Sequence, residues 1–283
     1  MKVSDAMTPR DSLVTVELPG TRDDVLEYLQ ERKFSSVPVI KQTDDGEEFR
    51  GLVSREALIT DPDEDQLALL VEEVPTTQAD ADITDVAELM IAEGARRIPV
   101  VDGQLEGIVT VTDVVRAIAA GDAPGEMEVG ELYEYRVNTV FSGSPLRVCE
   151  RELSYADEAY GIVLDDEAEV AGIITEVDIL NVARVVEGED GTGDSIANED
   201  DEWMWEGIKA TGNRYLPTRN VELPSGPVSE FMSDDLKTIG RRRTAQDAAK
   251  LMRNEDIEQI PVMSGDELIG IVRDMDLLIA CLQ

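Results

Sequence analysis

Residues 98–113 read IPVVDGQLEGIVTVTD, and this stretch decides the fold. Its first apolar run ends at Asp102-Gly103, a strong hairpin-turn signal, and a second apolar run follows the turn. The same pattern recurs as VPVIKQTDDGEEFRGLVS at 37–54, YGIVLDDEAEVAGIITEVD at 160–178 and IPVMSGDELIGIVRDMD at 260–276. Repetition of this kind predicts one supersecondary unit that is used four times along the chain.

Helical periodicity flanks the 98–113 hairpin on both sides. Ahead of it lies one apolar stripe, made of Ile83, Val86, Ala87, Met90 and Ile91. Gly94 then suits the left-handed residue that ends a helix. Behind the hairpin, a second helix opens at Thr110 and is expected to bury Val111, Val114, Val115 and Ile118. The unit therefore reads β-α-β-β-α, an α+β fold.

The other copies follow this plan with differences. In the first copy, residues 21–24 are predicted to cap a helix, and the hairpin turn is expected to be lengthened through 41–48. In the fourth copy, residues 244–247 are predicted to cap the corresponding helix. The third copy is worn, with no clear amphipathic stripe between Val140 and Ile162 and with Gly161 standing where the other copies have proline. One unit is too small to bury its own faces, so we expect the units to pair.

Glycines 51, 107, 172 and 270 mark the repeats, and they lie 56, 65 and 98 residues apart. We place the repeats at 1–60, 61–124, 125–186 and 227–283. The long gap holds an insertion at 187–226, which begins with an acidic linker and is expected to become ordered around Trp203 and Trp205. These tryptophans either cover core between repeats or form a docking patch for another protein.

The charge of the chain is strongly one-sided. It carries 62 acidic and 25 basic residues, a formal net charge of -37 and a pI near 4.1. We interpret this as an acidic coat adapted to a concentrated-salt cytoplasm, where a Debye length of about 3 Å at 1 M removes most self-repulsion. The sequence thus predicts a halophilic archaeon as the source. The same charge argues against a nucleic-acid partner, because phosphates would be repelled.

Several classes of protein are excluded by what the chain lacks. No window approaches the 18 or so consecutive apolar residues of a membrane span, so no membrane partner is expected. Because Met1 leads straight into the first repeat, we expect no signal peptide. The only cysteines are Cys149 and Cys281, which we expect to be buried thiols. We therefore expect a cytoplasmic protein. The absence of histidine excludes His-based metal sites and His-dependent catalytic triads.

The pattern strand-Pro-Val-strand-turn-Gly-Ile-Val-Thr-x-x-Asp-helix resembles the cystathionine-β-synthase (CBS) domain. Four copies imply four CBS repeats paired into two pseudo-twofold Bateman modules. In that family, the clefts of such modules often bind adenosyl ligands such as AMP, ATP or S-adenosylmethionine. Many of these modules act as sensors for enzymes and transporters.

The resemblance also implies candidate ligand-binding residues through the family motif Gly-h-h-Thr/Ser-x-x-Asp, whose Asp contacts the ribose hydroxyls. The motif is complete at Thr110 with Asp113 and at Thr175 with Asp178. It is half complete at Ser54, where Ala57 replaces the acid, and at Asp276, where Arg273 replaces the hydroxyl. Arg97 lies where nucleotide-binding relatives often carry a basic phosphate contact. The residues that follow it, Ile98 and Pro99, complete the candidate set. We expect one competent cleft per module.

A structural role competes with binding at these positions. Thr-x-x-Asp at the start of a helix also resembles a capping box, which contributes about 1 kcal/mol. For Thr110 with Asp113, and for Thr175 with Asp178, both interpretations stay open. Arg273 is expected to form a salt bridge to a nearby acid. The basic run 241–243 either is a solvated face or meets phosphates.

The function that this pattern favours is a stand-alone regulatory protein. It would bind an adenine nucleotide or S-adenosylmethionine as a regulatory ligand, without a cofactor or metal, and would signal through a conformational shift to an unidentified protein partner. We also expect a homo-oligomer. The alternative is a ligand-free assembly scaffold. A nucleotide-processing enzyme is disfavoured, because the chain lacks histidine, a P-loop and a Gly-x-Gly-x-x-Gly fingerprint.

Overall fold

The computed structural model describes residues 1–31, 36–44, 46–54, 57–58, 64–182, 184–187, 219–265 and 267–282. Two compact units divide the chain. The first comprises residues 1–135 together with 238–283, and the second comprises residues 136–237. Trp203 and Trp205, to which the sequence assigned a covering or docking role, lie outside the described residues.

The helices and strands follow the predicted repeat. The first unit contains α1 (Val3–Ala6), β1 (Thr8–Pro9), β2 (Val16–Leu18), α2 (Arg22–Glu31), β3 (Ser36–Thr43), β4 (Gly46–Ser54), α3 (Leu67–Leu70), α4 (Ile83–Glu93), β5 (Arg97–Asp102), β6 (Gln104–Thr110) and α5 (Val111–Ala120). The second unit contains β7 (Thr139–Phe141), α6 (Leu146–Ala156), β8 (Tyr160–Leu164), β9 (Val170–Thr175), α7 (Glu176–Val182), β10 (Arg184–Glu187) and β11 (Arg219–Glu222). The first unit resumes with β12 (Ile239–Gly240), α8 (Ala245–Glu255), β13 (Gln259–Ser264), β14 (Glu267–Arg273) and α9 (Asp274–Leu277).

Repeat 2 forms as the sequence predicts. Its hairpin pairs β5 with β6 in antiparallel register, and Gly103 takes the positive φ of +72° that the turn requires. The stripe on α4 is buried at Ile83, Val86, Ala87 and Met90, and the helix ends at Gly94 with φ +63°. Helix α5 buries the four residues expected of it, and these side chains join the core of the first unit.

Repeat 3 holds a helix that the sequence interpretation missed. Helix α6 buries Leu146, Cys149 and Leu153, whose spacing of three and four residues is that of one helical face. The pairing of β8 with β9 also corrects the alignment of this copy. Ile162 lies opposite Ile173, as Pro99 lies opposite Ile108, so Ile162 and not Gly161 occupies the position of the proline.

The hairpin of repeat 1 also differs from its prediction. Residues 41–48 do not form a lengthened turn, because β3 and β4 continue through them and Lys41 pairs with Glu48. The strands close only at the pair Thr43 and Gly46. The extra residues are therefore accommodated by longer strands.

Each hairpin pairs with a short segment of another repeat, through a strand in one case and an isolated bridge in the other three. We call the four short segments at the starts of the repeats arms: arm 1 is 1–9, arm 2 is 64–72, arm 3 is 126–134 and arm 4 is 226–233. Arm 1 pairs with β6 of repeat 2, and arm 2 pairs with β4 of repeat 1. Arm 3 pairs with β14 of repeat 4, and arm 4 pairs with β9 of repeat 3. The arms are therefore exchanged reciprocally, between repeats 1 and 2 and between repeats 3 and 4.

The exchange explains the glycine that marks every repeat. A Cβ on Gly107 would lie 2.5 Å from the carbonyl oxygen of Thr8 in arm 1. At Gly51, Gly172 and Gly270, the added atom would come closer still to a carbonyl oxygen of arm 2, arm 4 or arm 3, respectively. Real Cβ atoms do not approach so closely, so only glycine admits the arm at these positions.

Repeats 2 and 4 share one hydrophobic core in the first unit. Helices α4 and α5 pack against α8, α9 and the 3-10 segment Leu278–Leu282, and buried side chains from all of these form one cluster. In the part of the chain that the structure describes, no helix is long and apolar enough to cross a bilayer.

Candidate functional site

Repeat 2 brings three of the predicted site residues together. Arg97 at the start of β5 is the cross-strand partner of Thr110 at the end of β6. Asp113 lies in the first turn of α5, where its Oδ2 accepts hydrogen bonds from the backbone N–H of Thr110 at 2.9 Å and from Thr110 Oγ1 at 2.8 Å. Asp113 is only 5% exposed. The helix start thus holds a hydroxyl and a carboxylate in contact, and Arg97 lies on the neighbouring strand opposite Thr110.

A fourth residue joins this group that the sequence interpretation did not include. Arg116, one helical turn after Asp113, donates from Nη1 to Asp113 Oδ1 at 2.8 Å. Its side chain is 61% exposed, so it covers the outer side of the carboxylate. The signal that would have revealed it is the spacing of three residues on α5, at which a carboxylate and a guanidinium are neighbours.

Arg97 extends from repeat 2 towards repeat 1. Its Nη1 donates to the hydroxyl of Ser36 in β3 at 3.0 Å, so the candidate site lies between the hairpins of repeats 1 and 2. Burial lowers the pKa of the Arg97 guanidinium, and the neighbouring charge of Arg96 lowers it further. Both effects disfavour the cation in the absence of a ligand. An anion bound here would counter both effects, because opposite charge favours the ionised form.

Arg96 is directed towards repeat 4 and away from this site. It forms a two-point ion pair with Asp274, with donor–acceptor distances of 3.1 and 2.6 Å, and a further ion pair with Glu258 at 3.2 Å. Although burial opposes it, the hydrogen bond to Asp274 and the nearby negative charges leave the pKa of Arg96 raised. Asp274, only 5% exposed, stands at the position that Val111 has in repeat 2. The two consecutive arginines therefore contact different repeats, Arg96 repeat 4 and Arg97 repeat 1.

Repeat 3 repeats the hydroxyl–carboxylate pair but not the cation. Asp178 Oδ2 accepts from the N–H of Thr175 at 2.8 Å and from its Oγ1 at 2.7 Å. The partner of Thr175 across the strands is Tyr160, which is buried and occupies the position of Arg97. A guanidinium equivalent to that of Arg97 is therefore missing at this position.

Repeats 1 and 4 each keep half of the motif. Ser54 Oγ accepts from the N–H of Ala57 at 3.0 Å, which caps the following residues without a carboxylate. In repeat 4, the salt bridge expected for Arg273 is present, since its Nε lies 3.3 Å from Asp276 Oδ2. Asp276 is thus already paired with a cation of its own repeat.

Capping alone produces the same geometry elsewhere in the chain. At the start of α2, Asp24 Oδ2 accepts from the N–H of Thr21 at 2.8 Å and from its Oγ1 at 3.0 Å. A looser capping box joins Thr244 and Asp247 at the start of α8. Helices α2 and α8 precede the hairpins of their repeats, whereas the predicted ligand motif follows the hairpin. The Thr–Asp contact is therefore not specific to binding, and Arg97 and Arg116 distinguish the site of repeat 2.

The other candidates occupy different environments. The side chain of Ile98 is fully buried in the core, and Pro99 accepts a hydrogen bond at its carbonyl oxygen from the N–H of Thr77 at 3.0 Å. The basic run 241–243 is exposed, and Arg243 lies 3.6 Å from Asp247. None of these residues is in contact with the Thr110–Asp113 pair in the interactions described above.

Cys149 and Cys281 are buried free thiols, as expected, and burial raises their pKa to about 12 and about 11, respectively. Among the described residues, no group of three or more Cys, Asp or Glu side chains is arranged to hold a metal ion.

Comparison with known proteins agrees with the repeat architecture. The CBS domain model matches residues 3–62, 68–120 and 228–283, which together exceed half of the chain. An uncharacterized conserved protein from Pyrococcus horikoshii has the same fold with a TM-score of 0.68, at 26% identity over 99% of this chain and 100% of that protein. Protein MJ1225 from Methanocaldococcus jannaschii aligns with a TM-score of 0.63, at 18% identity over 98% and 99% of the two chains.

A curated relative extends further than this chain. Uncharacterized protein MJ1404 of Methanocaldococcus jannaschii is 24% identical over 278 residues, which are 98% of this chain and 61% of the relative. The chain spans about half to two thirds of the length of the curated relatives that it matches. The α+β repeats and the Bateman-like architecture expected from the sequence are confirmed, and the chain belongs to the CBS-domain family.

Proposed function

We propose that this protein is a regulatory sensor that binds an adenosyl ligand between repeats 1 and 2. The observation that carries the proposal is the position of Arg97. Arg97 is the cross-strand partner of Thr110, and its guanidinium contacts Ser36 of the other repeat.

The chemistry of the site suits a phosphorylated ribose. A carboxylate accepts hydrogen bonds from ribose hydroxyls, and ionised acceptors form stronger bonds than neutral ones. A phosphate at Arg97 would counter the effects of burial and of Arg96 on that guanidinium, whose pKa is lowered. The N–H groups at the start of α5 add a partial positive charge on the same side. Binding of AMP or ATP therefore uses groups that the fold has already assembled.

Signalling would follow from the location of the site. Because Arg97 contacts Ser36, a ligand that contacts Arg97 bears on the relative position of repeats 1 and 2. A ligand shifts such an equilibrium by its difference in affinity for the two arrangements. A protein partner or a homo-oligomer would respond to that shift. We place this activity in the cytoplasm of a salt-loving cell, consistent with two reduced thiols and a net charge of -37.

The Thr175–Asp178 pair of repeat 3 is a second candidate site. It has the same contacts as Thr110 with Asp113 but lacks the cation, since Tyr160 replaces Arg97. We propose that it contributes less to the binding of a phosphorylated ligand. Ser54 and Asp276 are weaker candidates for the reason given above, namely a missing acid and an existing ion pair.

The alternative function is a ligand-free assembly scaffold. It is favoured by one observation, the identical Thr21–Asp24 contact at a helix start where no ligand motif lies. In that case, Thr110 with Asp113 is a capping box and nothing more.

A thermal-shift screen in molar KCl tests the two functions. The ligands are AMP, ADP, ATP, S-adenosylmethionine and GTP, applied to the wild type and to Arg97→Gln. A ligand that binds only the native state stabilises it by about 2.7 kcal/mol at 100 times its dissociation constant. Protection by an adenosyl ligand that is weakened in Arg97→Gln supports the sensor. No protection by any of the five ligands favours the scaffold.

A further inference from the structure

We propose that Arg116 sets the ligand specificity of the Thr110–Asp113 site by donating a hydrogen bond to one oxygen of Asp113. The carboxylate can then accept a hydrogen bond from one ribose hydroxyl of the ligand rather than from two. The inference rests on the proposed function, because it concerns the same site. It goes beyond that function by naming the residue that decides how the sugar is recognised.

The first step is the hydrogen-bonding capacity of Asp113. An ionised carboxylate has about four lone-pair positions, two on each oxygen. Both positions on Oδ2 are used by the N–H and the hydroxyl of Thr110. One position on Oδ1 is used by Arg116 at 2.8 Å. A ligand therefore finds a single acceptor position, although the two hydroxyls of a ribose would need two.

The second step is that Arg116 holds its place better than a hydroxyl would. A hydrogen bond between a guanidinium and a carboxylate carries charge on both partners and is roughly twice as strong as a neutral one. Asp113 is also only 5% exposed, so displacing Arg116 would leave a buried carboxylate without its cation. A ribose hydroxyl is thus expected to bind beside Arg116 instead of replacing it.

Repeat 3 provides the contrast within the same chain. Its Thr175–Asp178 pair has the same two bonds on Oδ2, and the residue one helical turn later is Asn181. Oδ1 of Asp178 accepts no hydrogen bond from the residues that the structure describes. Asp178 is also more exposed than Asp113. The one-oxygen restriction is therefore a property of Arg116 and not of the shared motif.

Binding measurements with ribose analogues test the role of Arg116. AMP and ATP are each compared with their 2′-deoxy and 3′-deoxy analogues by isothermal titration calorimetry in molar KCl. The full chain is used with Asp178→Asn as background, so that the second pair does not contribute. Arg116→Met is compared with this background, and Arg253→Met, which removes an exposed arginine from α8, controls for the loss of one positive charge.

In the background protein, the affinity for one deoxy analogue should lie within about twofold of that for the ribose parent. The affinity for the other analogue should be at least about tenfold lower, as expected for the loss of one hydrogen bond to a charged acceptor. In Arg116→Met, both deoxy analogues should be at least about tenfold weaker than the ribose parent, because Oδ1 now has two open positions. Arg253→Met should behave like the background. Equal penalties for both analogues in the background, or an unchanged pattern in Arg116→Met, would overturn the inference while leaving the sensor intact. If AMP, ATP and S-adenosylmethionine all fail to bind the background protein, the proposed function itself is wrong.

Discussion

Replacing Asp113 by alanine separates a binding role from a capping role. In the structure, this change removes three hydrogen bonds at the start of α5, two from Thr110 and one from Arg116. Loss of a helix cap costs about 1 kcal/mol, and the ion pair between Arg116 and the buried Asp113 adds up to about 1 kcal/mol. We therefore expect unfolding free energy to fall by about 1–2 kcal/mol, which corresponds to roughly 2–8 °C in melting temperature.

The matched control is Asp247→Ala at the start of α8. Asp247 also belongs to a capping box, but its carboxylate accepts from the N–H of Thr244 at a longer distance, 3.5 Å, and its side chain is 41% exposed. The Asp247→Ala change should lower the free energy of unfolding by about 0.5–1 kcal/mol and leave ligand binding unchanged.

The assay is a thermal unfolding curve of each protein with and without AMP or ATP at about 100 times the wild-type dissociation constant. The ligand should raise the melting temperature of the wild type and of Asp247→Ala by roughly 5–10 °C. Asp113→Ala should have a lower melting temperature than the wild type without ligand, and AMP or ATP should raise that temperature little or not at all. A full ligand-induced rise in Asp113→Ala would refute the argument that this carboxylate binds the ligand, and capping would then be its whole role.

Three further predictions concern stability and reactivity. Gly107→Ala should lower the free energy of unfolding in urea by about 1–3 kcal/mol, because the new Cβ would lie 2.5 Å from the Thr8 carbonyl oxygen. The control Gly240→Ala, with no atom within 4 Å of its Cβ, should change this free energy little. Similar losses in both variants would show that the arm contact is not the cause. At pH 8 the native protein should resist alkylation by iodoacetamide, because burial raises the pKa of Cys149 to about 12 and of Cys281 to about 11, and denaturant should expose both thiols; rapid modification of the folded protein would contradict this. The urea midpoint should rise between 0.1 M and 2 M KCl, as the Debye length falls from about 10 Å to about 3 Å or less around a chain of net charge -37; an unchanged midpoint would count against a salt-adapted surface.

The local features of the fold could be predicted because they depend on neighbouring residues alone. The turn at Asp102-Gly103 and the helix end at Gly94 follow from the ease with which glycine adopts positive φ. The capping of α2 by Thr21 and of α8 by Thr244 follows from a hydroxyl and an acid three residues apart. These predictions needed no knowledge of the rest of the chain.

The worn third repeat shows where this approach fails. Helix α6 has only three buried residues, and one of them is Cys149, which the sequence interpretation did not count as part of a stripe. The position of Ile162 depended on cross-strand pairing with Ile173, which no local pattern defines. With fewer apolar markers, both the helix and the register became visible only in the structure.

The sequence by itself determined the repeat pattern and the family motif, because each of these is written as a short pattern. The tertiary structure alone decided how the patterns are used. It showed that the repeat glycine admits an arm exchanged from another repeat, since the clash it avoids is with a residue far away in the chain. It also separated Arg96 from Arg97: successive side chains of an extended segment point to opposite sides, so one arginine pairs with Asp274 of repeat 4 and the other contacts Ser36 of repeat 1.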